Sequence, residues 1–162
     1  MNTKMIIAFV VVALVSGCMS SVTRITPEEM RANPGSKISF DTKVPFDLAY
    51  RKTLNQMKGC WEQGSGVNFF PFASASFAFS VFGDKMENDA QVSLKLTTNL
   101  TAKIIQTIAL NPIQNGTHVT IYFAGEKPPE GQRKVLQEWL DNDSQGCPGD
   151  VGFFDKVEGS EK

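Results

Sequence analysis

AQVSLKLTT, residues 90–98, alternates regularly enough to decide the fold class. Val92, Leu94 and Leu96 fall on one side of an extended chain, and Gln91, Ser93, Lys95 and Thr97 on the other. Successive side chains of a strand point to opposite faces, so this spacing predicts a strand with one buried and one polar face. THVTIYFA, residues 117–124, has the same rhythm, with Val119, Ile121 and Phe123 inward and His118, Thr120 and Tyr122 outward. Sheets with one face turned to water are antiparallel.

Working outward, ISFDTKV (38–44) alternates in the same way, and Phe77, Phe79 and Val81 oppose Ser76, Ala78, Ser80 and Phe82. TAKIIQTIAL (101–110) is rich in β-branched residues and lies between two strands, which favours a strand there too. Asn115-Gly116 marks the next turn, at the end of a loop from Asn111 that is longer than a two-residue hairpin. Two stretches break the period of two. In PFDLAYRKTLNQMKGCW (45–61), Phe46, Tyr50, Leu54, Met57 and Trp61 recur every three or four residues, the stripe of a helix. Val135, Leu136, Trp139 and Leu140 make a second stripe, in a helix expected from Gln132 to about Ser144. The order β-α-β-β-β-β-α predicts an α+β, two-layer domain over residues 38–154, with a tail at 155–162. In it, a twisted antiparallel sheet of four to five strands carries both helices on one face.

The N-terminal residues are of another composition. A lysine at position 4 precedes an unbroken apolar run from Met5 to Val15, then Ser16 and Gly17. Eleven residues cannot cross a bilayer, which takes about 20, but they suit the hydrophobic region of a secretory signal. Leu14-Val15-Ser16-Gly17-Cys18 resembles the lipobox of bacterial lipoproteins. That resemblance implies a signal peptide over residues 1–17, cleavage before Cys18, and acyl chains on its thiol and new amine. Met19, rather than an aspartate, follows the cysteine, which by the same resemblance implies the periplasmic face of the outer membrane. Residues 18–37 read as a tether with a short helix, begun by Thr26-Pro27-Glu28-Glu29 and stopped by Asn33-Pro34-Gly35. The chain has three cysteines, so lipid on Cys18 leaves Cys60 and Cys147 as an even pair for a disulfide in an oxidising compartment.

Sixteen basic against seventeen acidic residues leave no basic stripe, so nucleic acid is not an expected partner. No nucleotide, cofactor or hydrolase motif occurs, and His118 stands alone among potential bases. A metal site would want four ligands and finds too few, so no metal or cofactor is expected, and no enzymatic activity. What remains is a binding or scaffold lipoprotein, held to the membrane through Cys18 and engaging another envelope protein. Its architecture is loosely similar to the helix-grip modules in the lipoprotein subunits of the outer-membrane barrel assembly machinery. In FFPFASASFAFSVF (69–82), Pro71 interrupts any regular strand, so Phe69, Phe70 and Phe72 read either as core or as an exposed apolar lip. With Tyr122 they form the candidate binding surface. The alternative is a carrier of an apolar or lipidic molecule, in a cavity lined by Tyr50, Phe77, Phe79 and Trp139.

Overall fold

Alternation in the sequence becomes a five-stranded sheet, every neighbouring pair antiparallel, in the order β1-β5-β4-β3-β2. The strands are β1 (Ser36–Thr42), β2 (Phe77–Lys85), β3 (Ala90–Thr98), β4 (Ala102–Ile113) and β5 (Gly116–Phe123). Three helices accompany them among the described residues: α1 (Pro27–Ala32), α2 (Phe46–Trp61) and α3 (Gln132–Asp141). The computed structural model describes residues 26–62, 77–128 and 131–147. The α+β class read from the sequence is the one observed.

The inner face of the sheet is built in rows. Gly83, Val92, Ile108, Ile121 and Ile38 lie side by side across all five strands, and Ala90, Leu110, Val119 and Phe40 form the next row. Most of these side chains are fully buried beneath α2 and α3. Helix α2 presents Ala49, Thr53 and Met57 to the core, four residues apart, with Phe46, Tyr50, Leu54 and Trp61 along the margins. Tyr50 and Leu54 ride over Gly83, where a Cβ would come within 2.6 Å of the Tyr50 hydroxyl. The missing side chain lets the helix approach the edge strand. Trp61 tilts against Phe79 at a centroid distance of 5.3 Å, and Lys85 sits over the Phe46 ring at 5.6 Å while pairing with Asp47 at 2.9 Å. Val135, Leu136, Trp139 and Leu140 of α3 complete the core.

Three local features depart from the sequence reading. Helix α3 ends at Asp141 instead of near Ser144, because Asp143 turns the chain with a positive φ of 52°. Strand β4 continues through Pro112 to Ile113, which pairs with Gly116, so the connection is a tight loop of Gln114 and Asn115. Proline is tolerated there because β3 begins opposite Leu110 and does not reach Pro112, leaving no ladder bond for the missing N–H. Gly116, at φ 143°, lies so close to the Thr42 carbonyl that a side chain would overlap it. A bulge between Leu94 and Lys95 adds Ile105 to β4, and the Ile105 carbonyl accepts from the Ala124 N–H at 3.0 Å.

The outer face is not simply solvated. Helix α1 lies across it, against β4 and β5, with Met30 wholly buried. The seat is made of small side chains: Ser93, Thr107 and Ala109 are buried, and the Ser93 and Thr107 hydroxyls satisfy each other at 3.0 Å. Ser93, expected to face water, is thus fully buried on this face. The capping box anticipated at Thr26 is formed: the Thr26 hydroxyl accepts from the Glu29 N–H at 3.2 Å, and the Glu29 carboxylate accepts from the Thr26 N–H at 3.1 Å. Arg31 pairs with Asp89 at 3.0 Å, and Gln91 donates to Glu28 at 3.1 Å. At the β2 edge, the Val81 N–H donates to the Glu62 carboxylate at 3.0 Å.

Since Ile121 is fully enclosed at the centre of the inner face, Ile121→Ala removes buried methyl groups and leaves a void. The expected loss is about 2–5 kcal/mol, read as a lower denaturant midpoint with an unchanged slope.

Candidate functional site

Cys60 and Cys147 are bonded, their Cα atoms 5.3 Å apart, within the range a disulfide requires. The bond is the last of three fastenings. Lys52, Gln56 and Cys60 recur every four residues and so share one face of α2. Lys52 donates to the Leu140 carbonyl at 2.5 Å and pairs with Asp143 at 2.7 Å, and Gln56 donates to the Ser144 carbonyl at 3.0 Å. The segment after α3 therefore runs along α2 as a strap, and its Gly146 carbonyl receives the indole N–H of buried Trp139 at 2.7 Å. Cys18, Phe69, Phe70 and Phe72, singled out in the sequence, lie outside the described residues.

Tyr122 is half-buried on the outer face, opposite Lys37 of β1. It lies near enough to Arg31 to act on its charge. Burial disfavours the Arg31 charge, but the hydrogen bond and charge of Asp89, with lesser contributions from Tyr122, hold its pKa above the ordinary value. Tyr122 thus supports α1 more than it offers a free docking surface.

Beside it, the sheet register assembles a row that no linear motif displays. Asp41 stands opposite His118, and Ser39 opposite Thr120. His118 Nδ1 lies 2.6 Å from Asp41 Oδ1, its Nε2 lies 3.3 Å from Thr120 Oγ1, and that hydroxyl lies 3.0 Å from Ser39 Oγ. Carboxylate, imidazole and hydroxyl are the residue types of a nucleophilic triad, but chemistry also needs oxyanion donors and a water-excluding cleft. The side chains of His118 and Asp41 are 41% and 65% exposed, and neither described cleft contains His118, Thr120 or Ser39. The row acts as a cross-strand ladder that orders the outer face.

The two described clefts flank the turn from β1 into α2. One, of about 560 Å³, is lined by Asp41, Thr42, Val44, Leu48 and Asp141. The other, of about 660 Å³, is lined by Phe46, Pro112, Ile113, Gln114 and Asn115. Both share Lys43 and Pro45. The corner between them is stiff: Thr42 donates to Asp141 at 2.6 Å, and Thr117 donates to the Val44 carbonyl at 2.7 Å. Leu48 and Ile113 are exposed at its rim. An apolar rim around one lysine suits a protein surface better than a small molecule, which wants a deeper, more enclosed site. The sequence carried a signal in Pro45 and Pro112, but only the fold brings them together.

Among the described residues, no three His, Cys, Asp or Glu side chains are grouped to hold a metal ion, and no helix is long and apolar enough to cross a membrane. No protein-family model matches the chain, and neither does any curated protein.

Two outcomes follow from this geometry. The bond between Cys60 and Cys147 spans 87 residues, for which chain entropy gives about 4–5 kcal/mol. Cys60→Ser with Cys147→Ser therefore lowers stability by about 2–5 kcal/mol, read from unfolding midpoints, and thiol reductant has the same effect on the parent protein. At Glu28, the hydrogen bond from Gln91 is the main cause of a carboxyl pKa below the ordinary 4.5. A depressed carboxyl stabilises above its unfolded value, so the docking of α1 is complete above about pH 4.5 and weakens as pH falls through the lowered value. Amide exchange at Met30 measured against pH reads this directly.

Proposed function

We propose that this chain is a periplasmic lipoprotein, anchored to the outer membrane through Cys18, that serves as a non-catalytic binding or scaffold module for another envelope protein. The observation that carries the reading is the Cys60–Cys147 bond. It occupies two of the three cysteines and leaves Cys18, at the end of the lipobox-like stretch, as the odd one. A structural disulfide also fits an oxidising compartment.

Binding is favoured over carriage by what three of the four candidate cavity residues do, the Phe77 side chain lying outside those described. Trp139 is fully enclosed and hydrogen-bonded to the strap, Phe79 packs on Trp61, and Tyr50 fills the space over Gly83. Each spends its surface on a neighbour within the domain. The corner around Lys43 and Pro45, with Leu48 and Ile113 exposed, instead offers rigid apolar surface to a partner.

Cys18→Ser is expected to abolish labelling by palmitate, prevent trimming at residue 18 and release the protein from membranes. Continued trimming and membrane attachment, with no palmitate on the parent, would refute the anchor. Cross-linking in intact cells is expected to capture one envelope protein reproducibly, and Leu48→Glu with Ile113→Glu to reduce that capture at least fivefold. Co-purified lipid with no captured protein would turn the reading to a carrier.

A further inference from the structure

The docking of α1 has a metric consequence for a chain anchored at Cys18. Thr26, where the helix begins, is eight positions beyond Cys18, and at about 3.5 Å a step the chain reaches at most about 28 Å. Were α1 undocked and extended, the leash would run to Ser36, with a reach of about 63 Å. Five strands at about 4.8 Å make a sheet roughly 24 Å wide. The docked helix therefore keeps the bilayer within about one domain width of the point where the leash leaves.

That point is fixed by side chains. Glu28 receives Gln91 at the start of β3, and Arg31 pairs with Asp89 in the turn between β2 and β3. The same side of the domain carries large apolar groups in the open. Met86, in that turn, is 65% exposed, and Phe82, on the outer face opposite Ser93, is 39% exposed. The turn holding Met86 is ordered, its N–H donating to the Asp89 carbonyl at 2.7 Å. Exposed carboxylates at Asp84 and Glu87 surround it, while Lys85 is engaged by Asp47 and Arg31 by Asp89. This surface therefore offers little free cationic charge for anionic headgroups, and what it does offer is exposed apolar area.

We infer that α1 is a clasp which holds the outer side of the β2–β3 hairpin against the bilayer bearing the lipidated Cys18, with Met86 and Phe82 at the lipid surface. The inference rests on the anchor proposed above. The corner around Lys43 and Pro45 remains available beside the membrane, so the partner is met at the bilayer surface.

The test uses the full-length protein, purified from cells in its processed form and placed in phosphatidylcholine vesicles with brominated acyl chains. Met86→Trp and Leu100→Trp give two reporters, with the parent signal of Trp61 and Trp139 subtracted. Leu100 is 93% exposed, beyond the far end of β3, about 30 Å from Met86 along nine residues of strand. The reporter at position 86 is expected to be quenched at least threefold more than that at position 100. Met30→Asp with Arg31→Ala, which opens the clasp, is expected to equalise them while the Cys60–Cys147 bond still forms. Equal quenching of the two reporters in palmitate-labelled protein with the clasp intact, or a bias that survives opening the clasp, overturns the orientation alone. Absence of palmitate overturns the anchor and the clasp together.

Discussion

The pairing of β1 with β5 governs this structure. Seven residue pairs join the first strand to the last, from Ser36 with Phe123 to Thr42 with Thr117. Bringing together segments some eighty residues apart carries a loop-closure cost, which local contacts do not offset. The return comes from the inner face, where Ile38 and Phe40 add to the rows begun by Ile121 and Val119. Once β1 lies beside β5, β2 is left at the opposite edge, and α2 must cross the sheet to connect them. Its position over the core follows from chain connectivity as much as from its apolar stripe.

The strap along α2 is a second long-range closure laid over the first. Lys52, Gln56 and Cys60 meet Asp143, Ser144 and Cys147 in order, so the ion pair and hydrogen bond keep the register in which the sulfurs meet. The covalent bond then limits how far α2 and α3 can separate, even when the packing around Trp139 fluctuates. A domain of this size with such a bond loses less on partial opening than packing alone would allow.

Much of this was legible in the sequence, and the remainder was hidden for identifiable reasons. Val92, Leu94, Val119 and Ile121 announce their face by period alone, and the stripe of α2 is visible from Phe46 to Trp61. The capping box at Thr26 is a local pattern and was readable for the same reason. What could not be read depends on which strands become neighbours. Asp41 and His118 are 77 positions apart, and nothing in either stretch says they pair. Ser93 and Thr107 look like solvent-facing residues, because small polar side chains suit water and, once they satisfy each other, burial equally well. Pro112 argues against a strand until β3 is known to begin opposite Leu110. The corner around Lys43 and Pro45 is likewise a product of tertiary assembly, drawn from three separate stretches of chain.

The carboxylate of Glu62 on the Val81 N–H has a bearing on self-association. A bare strand margin invites one copy to extend the sheet of the next. Here the outward amide is already occupied by a charged oxygen, which an incoming strand would have to displace. The edge next to it offers Gly83, which has no side chain to grip. One side chain at the end of α2 thereby guards part of an open sheet margin.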